Sequence, residues 1–221
     1  YTYFTWRETR RELSDYVEEI SRPPVSDFFR PNFFVNTPDI NPRHLQDSGR
    51  TGFLIRAALA TTLSGSWGMY SGFELCEGTP VPGKEEYLDS EKYEIRAWDW
   101  SRPGNIVAEI GVLNRIRRDN PALHIHTGTG FLNTDNDRVL AYTRATPERD
   151  NVVLVVVNLD PHGAQGASVE LPLWEFGLPD DGTLHAEDLL RGYRFDWHRK
   201  MQHVRLEPGG PYAIWRISRR F

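Results

Sequence analysis

FFVNTPDINP, residues 33–42, is the stretch that decides the fold. Phe33, Phe34 and Val35 form a short apolar run suited to a buried strand. The chain then passes through Asn36, Thr37 and Pro38 to Asp39. A carboxylate held behind a proline at the end of a buried strand has two readings. It caps the turn that follows, or the strand exists to deliver it to a site. Pattern alone leaves these two readings even.

Outward from this strand the chain is helical on both sides. Leu13, Tyr16, Val17 and Ile20 mark one face of an amphipathic helix. Arg22-Pro23-Pro24 ends it, because proline cannot continue the ladder. Asn41-Pro42 opens a loop running to Gly49. TGFLIRAALATTLS, residues 51–64, then places Leu54, Ala57, Ala58 and Thr61 on one face. It is apolar nearly all round, the pattern of a well-buried helix. SGSWGMYSGFEL, residues 64–75, reads as a second strand with loops at both ends, and Glu74 follows its apolar centre. A long polar loop covers 76–102; loops of this length in a compact domain are functional or disordered. Ile106, Ile110, Leu113 and Ile116 mark a helix that stops before Asn120-Pro121.

Strand and helix in repetition, with polar residues just past each strand, is the logic of a TIM (β/α)8 barrel. Its sites are built at the C-terminal strand ends. From about residue 128 the character changes. VLAYT (139–143) alternates as a half-buried strand, and VVLVVVN (152–158) reads as a strand buried on both faces. VELPL and the closing HVRLEPGGPYAIWRI add further strands between turns, which argues a β-sandwich. The expected class is α/β plus all-β. Residues 1–127 are expected to form the C-terminal part of a (β/α)8 barrel, and residues 128–221 an antiparallel β-sandwich.

Composition narrows the function classes. The formal net charge of −5 over 221 residues disfavours a nucleic-acid partner. No run of about 18 apolar residues offers a membrane span. The 7 Trp and 12% aromatic content suit either sugar stacking or a large aromatic core. Cys76 stands alone, so it cannot close an internal disulfide; this suits a reducing cytoplasm, with Cys76 as a buried small hydrophobe. YTYFTWR enters a helix pattern at once without a leader. It reads as the middle of a larger protein, so the chain is expected to be a fragment.

The remaining candidates have plain structural readings beside functional ones. Glu74 is expected in a structural ion pair near a strand end, and Asp47 and Ser48 as helix caps. Lys92 and Tyr93 could contact a sugar or an anion; pattern alone favours a solvated charge beside a packed aromatic. His124 and His126 alternate as two ligands on a strand face would, but no acidic or cysteine partner stands at metal spacing. No metal or cofactor is expected. Gly128-Thr129-Gly130 lacks the preceding strand and following basic residue of a phosphate loop.

FFVNTPDI, the helix after it and LSGSWGMYSGFEL resemble the last barrel strands of the α-amylase clan, glycoside hydrolase family 13. Gly65 through Glu74 resembles the family's eighth-strand motif, and KYEIRAWDW the loop beyond it. LNRIRRDNPAL is similar to the helix that follows, and the closing sandwich to the family's domain C. One departure narrows the resemblance: Pro38 stands where the family commonly has histidine. Asn-Thr-Pro-Asp, with EEYLDSEKYE and YTYFTWR, is similar to the GlgE-type maltosyltransferases. That family transfers maltose from α-maltose 1-phosphate to the non-reducing end of an α-1,4-glucan.

The resemblance implies Asp39 as the transition-state stabiliser, and Lys92 and Tyr93 as contacts to the donor. It places the nucleophile and acid/base on strands upstream of Tyr1, so this chain alone is expected to be inactive. The missing N-terminal part is the implied partner, and a homodimer is expected for the full protein. Two other readings are an amylase-like hydrolase or trehalose-forming mutase, against which Pro38 argues, and a non-catalytic carbohydrate-binding module. The barrel-like helices of the first half disfavour the module.

Overall fold

A computed structural model describes residues 2–219; Tyr1, with which the aromatic opening begins, lies outside them. Helix α1, Arg10–Ser21, starts at a capping box: the Thr9 side chain accepts from the Glu12 amide, and the Glu12 carboxylate accepts from the Thr9 amide. Its buried face is Leu13, Tyr16, Val17 and Ile20, as the periodicity required. A short helix, α2 (Val25–Phe28), follows the prolines. Strand β1, Asn32–Phe34, then pairs in parallel with β2, Ser66–Gly68. Between them lie α3 (Arg43–Asp47) and α4 (Gly49–Leu63). A parallel pair needs such a crossover to return the chain to the same end.

Helix α4 is buried from Gly52 to Leu63. Its polar groups therefore have to be answered by protein. The carbonyls at a helix C-terminus lack intrahelical donors, and two arginines supply them. Arg117, on α5 (Val107–Arg118), donates to the carbonyls of Thr61, Ser64 and Gly65. Arg144, fully buried on β4 (Val139–Ala145), donates to Thr62 O at 2.6 Å. Burial lowers the Arg144 pKa to about 10. Within α4, Arg56 reaches back to the carbonyls of Arg7 and Phe4, each at 2.6 Å, and lies over the Phe4 ring.

The second half is a six-stranded antiparallel sheet in the order β3-β4-β5-β10-β7-β8. Its remaining members are β3 (Thr129–Phe131), β5 (Val152–Asn158), β7 (Thr183–Asp188), β8 (Arg194–His198) and β10 (Tyr212–Arg219). An antiparallel pair of β6 (Gln165–Glu170) and β9 (Met201–Leu206) forms a second sheet. One face of the large sheet, with Leu140, Tyr142, Val153, Val155, Val157 and Ile214, shares a core with α1, α4 and α5. The other face, with Val139, Ala141, Leu154, Val156 and Trp215, packs with Ala167, Val169 and Leu206 of the second sheet.

This arrangement corrects one expectation. Strand β4 is buried along its whole length, not half-buried. Its polar-looking face carries Tyr142, whose hydroxyl bonds Thr62 of α4 at 2.5 Å. The helical half covers a face that a free-standing sandwich would show to water. Two boundaries also shift. The apolar centre of 64–75 is strand only at Ser66–Gly68, and Phe73–Leu75 is a 3-10 turn. The VELPL segment leaves β6 at Glu170, and Leu173–Phe176 is likewise a 3-10 turn.

Candidate functional site

Strand β1 ends in a tight turn. Thr37 and Ile40 exchange backbone hydrogen bonds at 3.0 and 3.1 Å, which leaves Pro38 and Asp39 at the exposed tip. The Asp39 amide donates to Thr37 Oγ1 at 3.2 Å. Its carboxylate is 61% exposed and is ion-paired with Lys92 Nζ. Residues 53 positions apart in sequence thus meet. Lys92 Nζ also sits 5.1 Å from the centre of the Tyr93 ring. The hydrogen bond to Asp39, then that to Tyr93, raises the Lys92 pKa, so the ammonium stays charged at any physiological pH. All three expected site residues line one cavity of about 390 Å³.

The loop that brings Lys92 to Asp39 is held from below. Asn36, fully buried, donates to the Tyr87 hydroxyl at 2.7 Å and accepts from the Tyr70 amide at 2.8 Å. The Tyr70 hydroxyl accepts from the Glu91 amide at 2.7 Å. Ser90 Oγ donates to Pro38 O at 2.8 Å, directly beneath the turn. The two tyrosine rings lie 5.5 Å apart, tilted. Burial raises the pKa of the Tyr87 phenol, so it remains a neutral donor and acceptor. Asn36 is the residue that pattern reasoning passed over. Its signal was present: a buried amide between an apolar strand and a proline turn needs partners, and only distant ones are within reach.

Farther along, Glu77 is 6% exposed and pairs with Arg102 at 3.1 Å and Arg96 at 3.6 Å. Burial pushes its carboxyl up, but hydrogen bonds from Thr79 and Arg102 outweigh this, and the pKa is lowered. Gly72 has φ +95°, and a Cβ there would lie 2.5 Å from the Trp98 ring, so glycine is required for the loop to close over this turn. Tyr93, at 78% exposed, and Ile95, fully exposed, stand out from the surface around the cavity.

The charge of the cavity restricts what it can hold. Asp39, Glu86, Asp89 and Glu94 line it, with Lys92 as the cation among its lining residues. Such a set suits sugar hydroxyls and a developing positive charge rather than a phosphate group.

Other expected residues fall elsewhere. Among the described residues Glu74 makes no ion pair; its carboxylate accepts from the Gly72 amide at 3.1 Å and braces its own turn. Asp47 is the last residue of α3. Ser48 stands at the N-cap of α4 but makes no capping hydrogen bond, since its backbone is already helical. His124 contacts Arg117 O at 2.6 Å and His126 Ser26 O at 3.2 Å, so both serve the backbone. Among the described residues no cluster of histidine, cysteine and acidic groups could hold a metal. Cys76 is partly rather than fully buried, and burial raises its thiol to about 11. No helix of the described residues is long and apolar enough to cross a membrane.

Residues 131–216 match the family described as GLGE, C-terminal. An α-1,4-glucan:maltose-1-phosphate maltosyltransferase of Pseudomonas aeruginosa is 62% identical over 99% of this chain, which covers 33% of that protein. One from Myxococcus xanthus is 51% identical, with the same coverage of both chains. Among solved structures, an α-amylase of Geobacillus thermoleovorans shares the fold at a TM-score of 0.69 and 14% identity. That match covers 99% of this chain and 45% of the amylase. A γ-CGTase of Bacillus clarkii aligns at a TM-score of 0.64 and 20% identity, covering 95% of this chain and 29% of its own. The chain is similar over nearly its whole length to α-1,4-glucan:maltose-1-phosphate maltosyltransferases and spans about a third of the length of the relatives it matches.

Proposed function

We propose that this chain forms part of an enzyme that transfers maltosyl units from α-maltose 1-phosphate to the non-reducing end of α-1,4-glucans, with retention and release of phosphate. The observation that carries this reading is the meeting of Asp39, Lys92 and Tyr93 at one acidic cavity. A retaining transfer needs a carboxylate nucleophile and a second carboxyl group as acid/base, around an oxocarbenium-like transition state. Asp39 is the third carboxylate, which holds ring hydroxyls and favours the charged, distorted sugar. Lys92 and Tyr93 hydrogen-bond the donor sugar remote from the phosphate. Nucleophile and acid/base lie outside this chain.

In this reading residues 1–127 are the C-terminal part of a (β/α)8 barrel. The parallel pair β1–β2 supplies two of its strands, and Asp39 sits past the end of the first. Residues 128–221 are the domain that follows. The full protein works in the cytoplasm as a homodimer. The test is incubation of the full-length protein with α-maltose 1-phosphate and glycogen. Phosphate release with stepwise extension of the glucan by two glucose units is the expected result. Phosphate release without extension would make the enzyme a hydrolase, and appearance of trehalose would make it a mutase.

A further inference from the structure

A second cavity, of about 240 Å³, lies away from Asp39, between α3, the first half of α4 and the segment after β5. Exposed Glu8, Asp47 and His162 stand on its lining together with half-buried His44 and buried Ser48 and Arg56. Its volume is many times the roughly 30 Å³ of one water and below the roughly 300–1,000 Å³ of sites for drug-sized ligands. Ile55, Leu59, Leu159 and Pro161 give it an apolar wall.

Three polar atoms on its lining residues are buried without a partner among the described residues: His44 Nε2, Ser48 Oγ and Arg56 Nε. Buried polar groups are nearly always satisfied, and each exception asks for an explanation. The explanation here is specific, because the hydrogen-bonding sense of each atom is known. His44 Nδ1 lies 3.0 Å from a Glu8 carboxylate oxygen, which can only accept. Nδ1 therefore carries the proton, and Nε2 of the neutral ring is an acceptor. Burial, then the nearby Arg56 charge, lowers the His44 pKa to about 4, which keeps the ring neutral. Arg56 Nε can only donate, and Ser48 Oγ can do either. Gly52 leaves space for that hydroxyl, since a Cβ there would sit 1.6 Å from Ser48 Oγ.

An anion brings acceptors alone and would face the His44 lone pair, Glu8 and Asp47. A cation would face Arg56. A hydroxyl group both donates and accepts, and an apolar wall suits the C–H face of a ring. We propose that this cavity binds a neutral polyhydroxylated ligand about one sugar ring in size, through His44 Nε2, Ser48 Oγ and Arg56 Nε. The site shares no residue with the Asp39 cavity and does not depend on the function proposed for it.

The test uses the full-length protein carrying Lys92→Ala, so that binding at the Asp39 cavity is weakened, with D-glucose as the probe. Equilibrium dialysis is expected to show saturable glucose binding in the millimolar range. A further Ser48→Ala change is expected to weaken it severalfold, and His44→Phe tenfold or more. Ser48→Ala removes a hydroxyl without a protein partner, so it keeps the test valid if the His44 variant fails to fold. A crystal structure with glucose is expected to place a sugar hydroxyl on His44 Nε2. Absence of saturable binding, binding indifferent to both substitutions, inorganic phosphate taken up in place of glucose, or a side chain from elsewhere in the protein filling the cavity would each overturn the proposal.

Discussion

Strand β5 and the loop from residue 88 to 100 are opposite solutions in one chain. Every residue of β5 is buried, from Val152 to Asn158. The loop exposes Leu88, Tyr93, Ile95 and Trp100, and it rests on the Glu91 amide's bond to Tyr70, the Ser90 hydroxyl's bond to Pro38 O and a turn on the Ser90 carbonyl rather than on a ladder. The strand is held by packing from both sides, so its composition follows from its surroundings. The loop is held by a few polar pins, which leave its outward side chains free to meet a ligand. Substitutions in the strand should therefore act on stability, and substitutions around the loop on kinetics.

The sharpest contrast lies between Val155 and Asp39. Val155→Asp places an unpaired charge between the helices and the sheet. The expected cost is about 3–5 kcal/mol, read as a lowered urea midpoint. A midpoint equal to the parent's would remove β5 from the core. Asp39→Ala alters an exposed turn tip. The full-length enzyme should keep its midpoint and lose roughly 10²–10³ in kcat, while the glycosyl-enzyme intermediate stays on another residue. An intermediate trapped on Asp39 would make it the nucleophile and break the assignment.

Lys92→Ala should act more mildly. Contacts to the donor far from the breaking bond contribute partly as uniform binding. The expected change is a KM for α-maltose 1-phosphate raised roughly tenfold, with the glucan KM nearly unchanged. A rise in the glucan KM alone would turn the loop into an acceptor site.

Glu77 gives the smallest effect and tests how the loop is anchored. Its folded pKa is lowered from the ordinary 4.5. The stability it contributes is therefore present above the unfolded value and is lost as pH falls through the folded one. Glu77→Gln should flatten the fall in urea midpoint between about pH 5 and pH 3, and an unchanged acid limb would show that the Arg96 and Arg102 pairs do not anchor the loop.

Periodicity made the same division visible in advance. Leu13, Tyr16, Val17 and Ile20, the apolar α4 and the β-branched β5 were legible because burial repeats with a fixed period. The alternation of β4 does not reveal its full burial, because the helices that cover its other face come from far away in the sequence. β7 and β8 alternate polar residues at one side of the large sheet and gave a weak signal. Resemblance to a family singles out Asp39, Lys92 and Tyr93 one by one, but no spacing rule joins residues 53 apart, so the Asp39–Lys92 ion pair is legible only in the fold. The network of Asn36, Tyr70 and Tyr87 beneath them left no periodic trace, since it is built from single long-range hydrogen bonds.

The most direct test of the central claim is a crystal structure of the full-length protein with α-maltose 1-phosphate bound. The sugar that carries the phosphate is expected against the Asp39 carboxylate, and the sugar remote from the phosphate against Lys92 and Tyr93. The phosphate itself should lie away from the carboxylates of this cavity. A donor bound with its phosphate on Lys92, or bound without contact to Asp39, Lys92 and Tyr93, would contradict it.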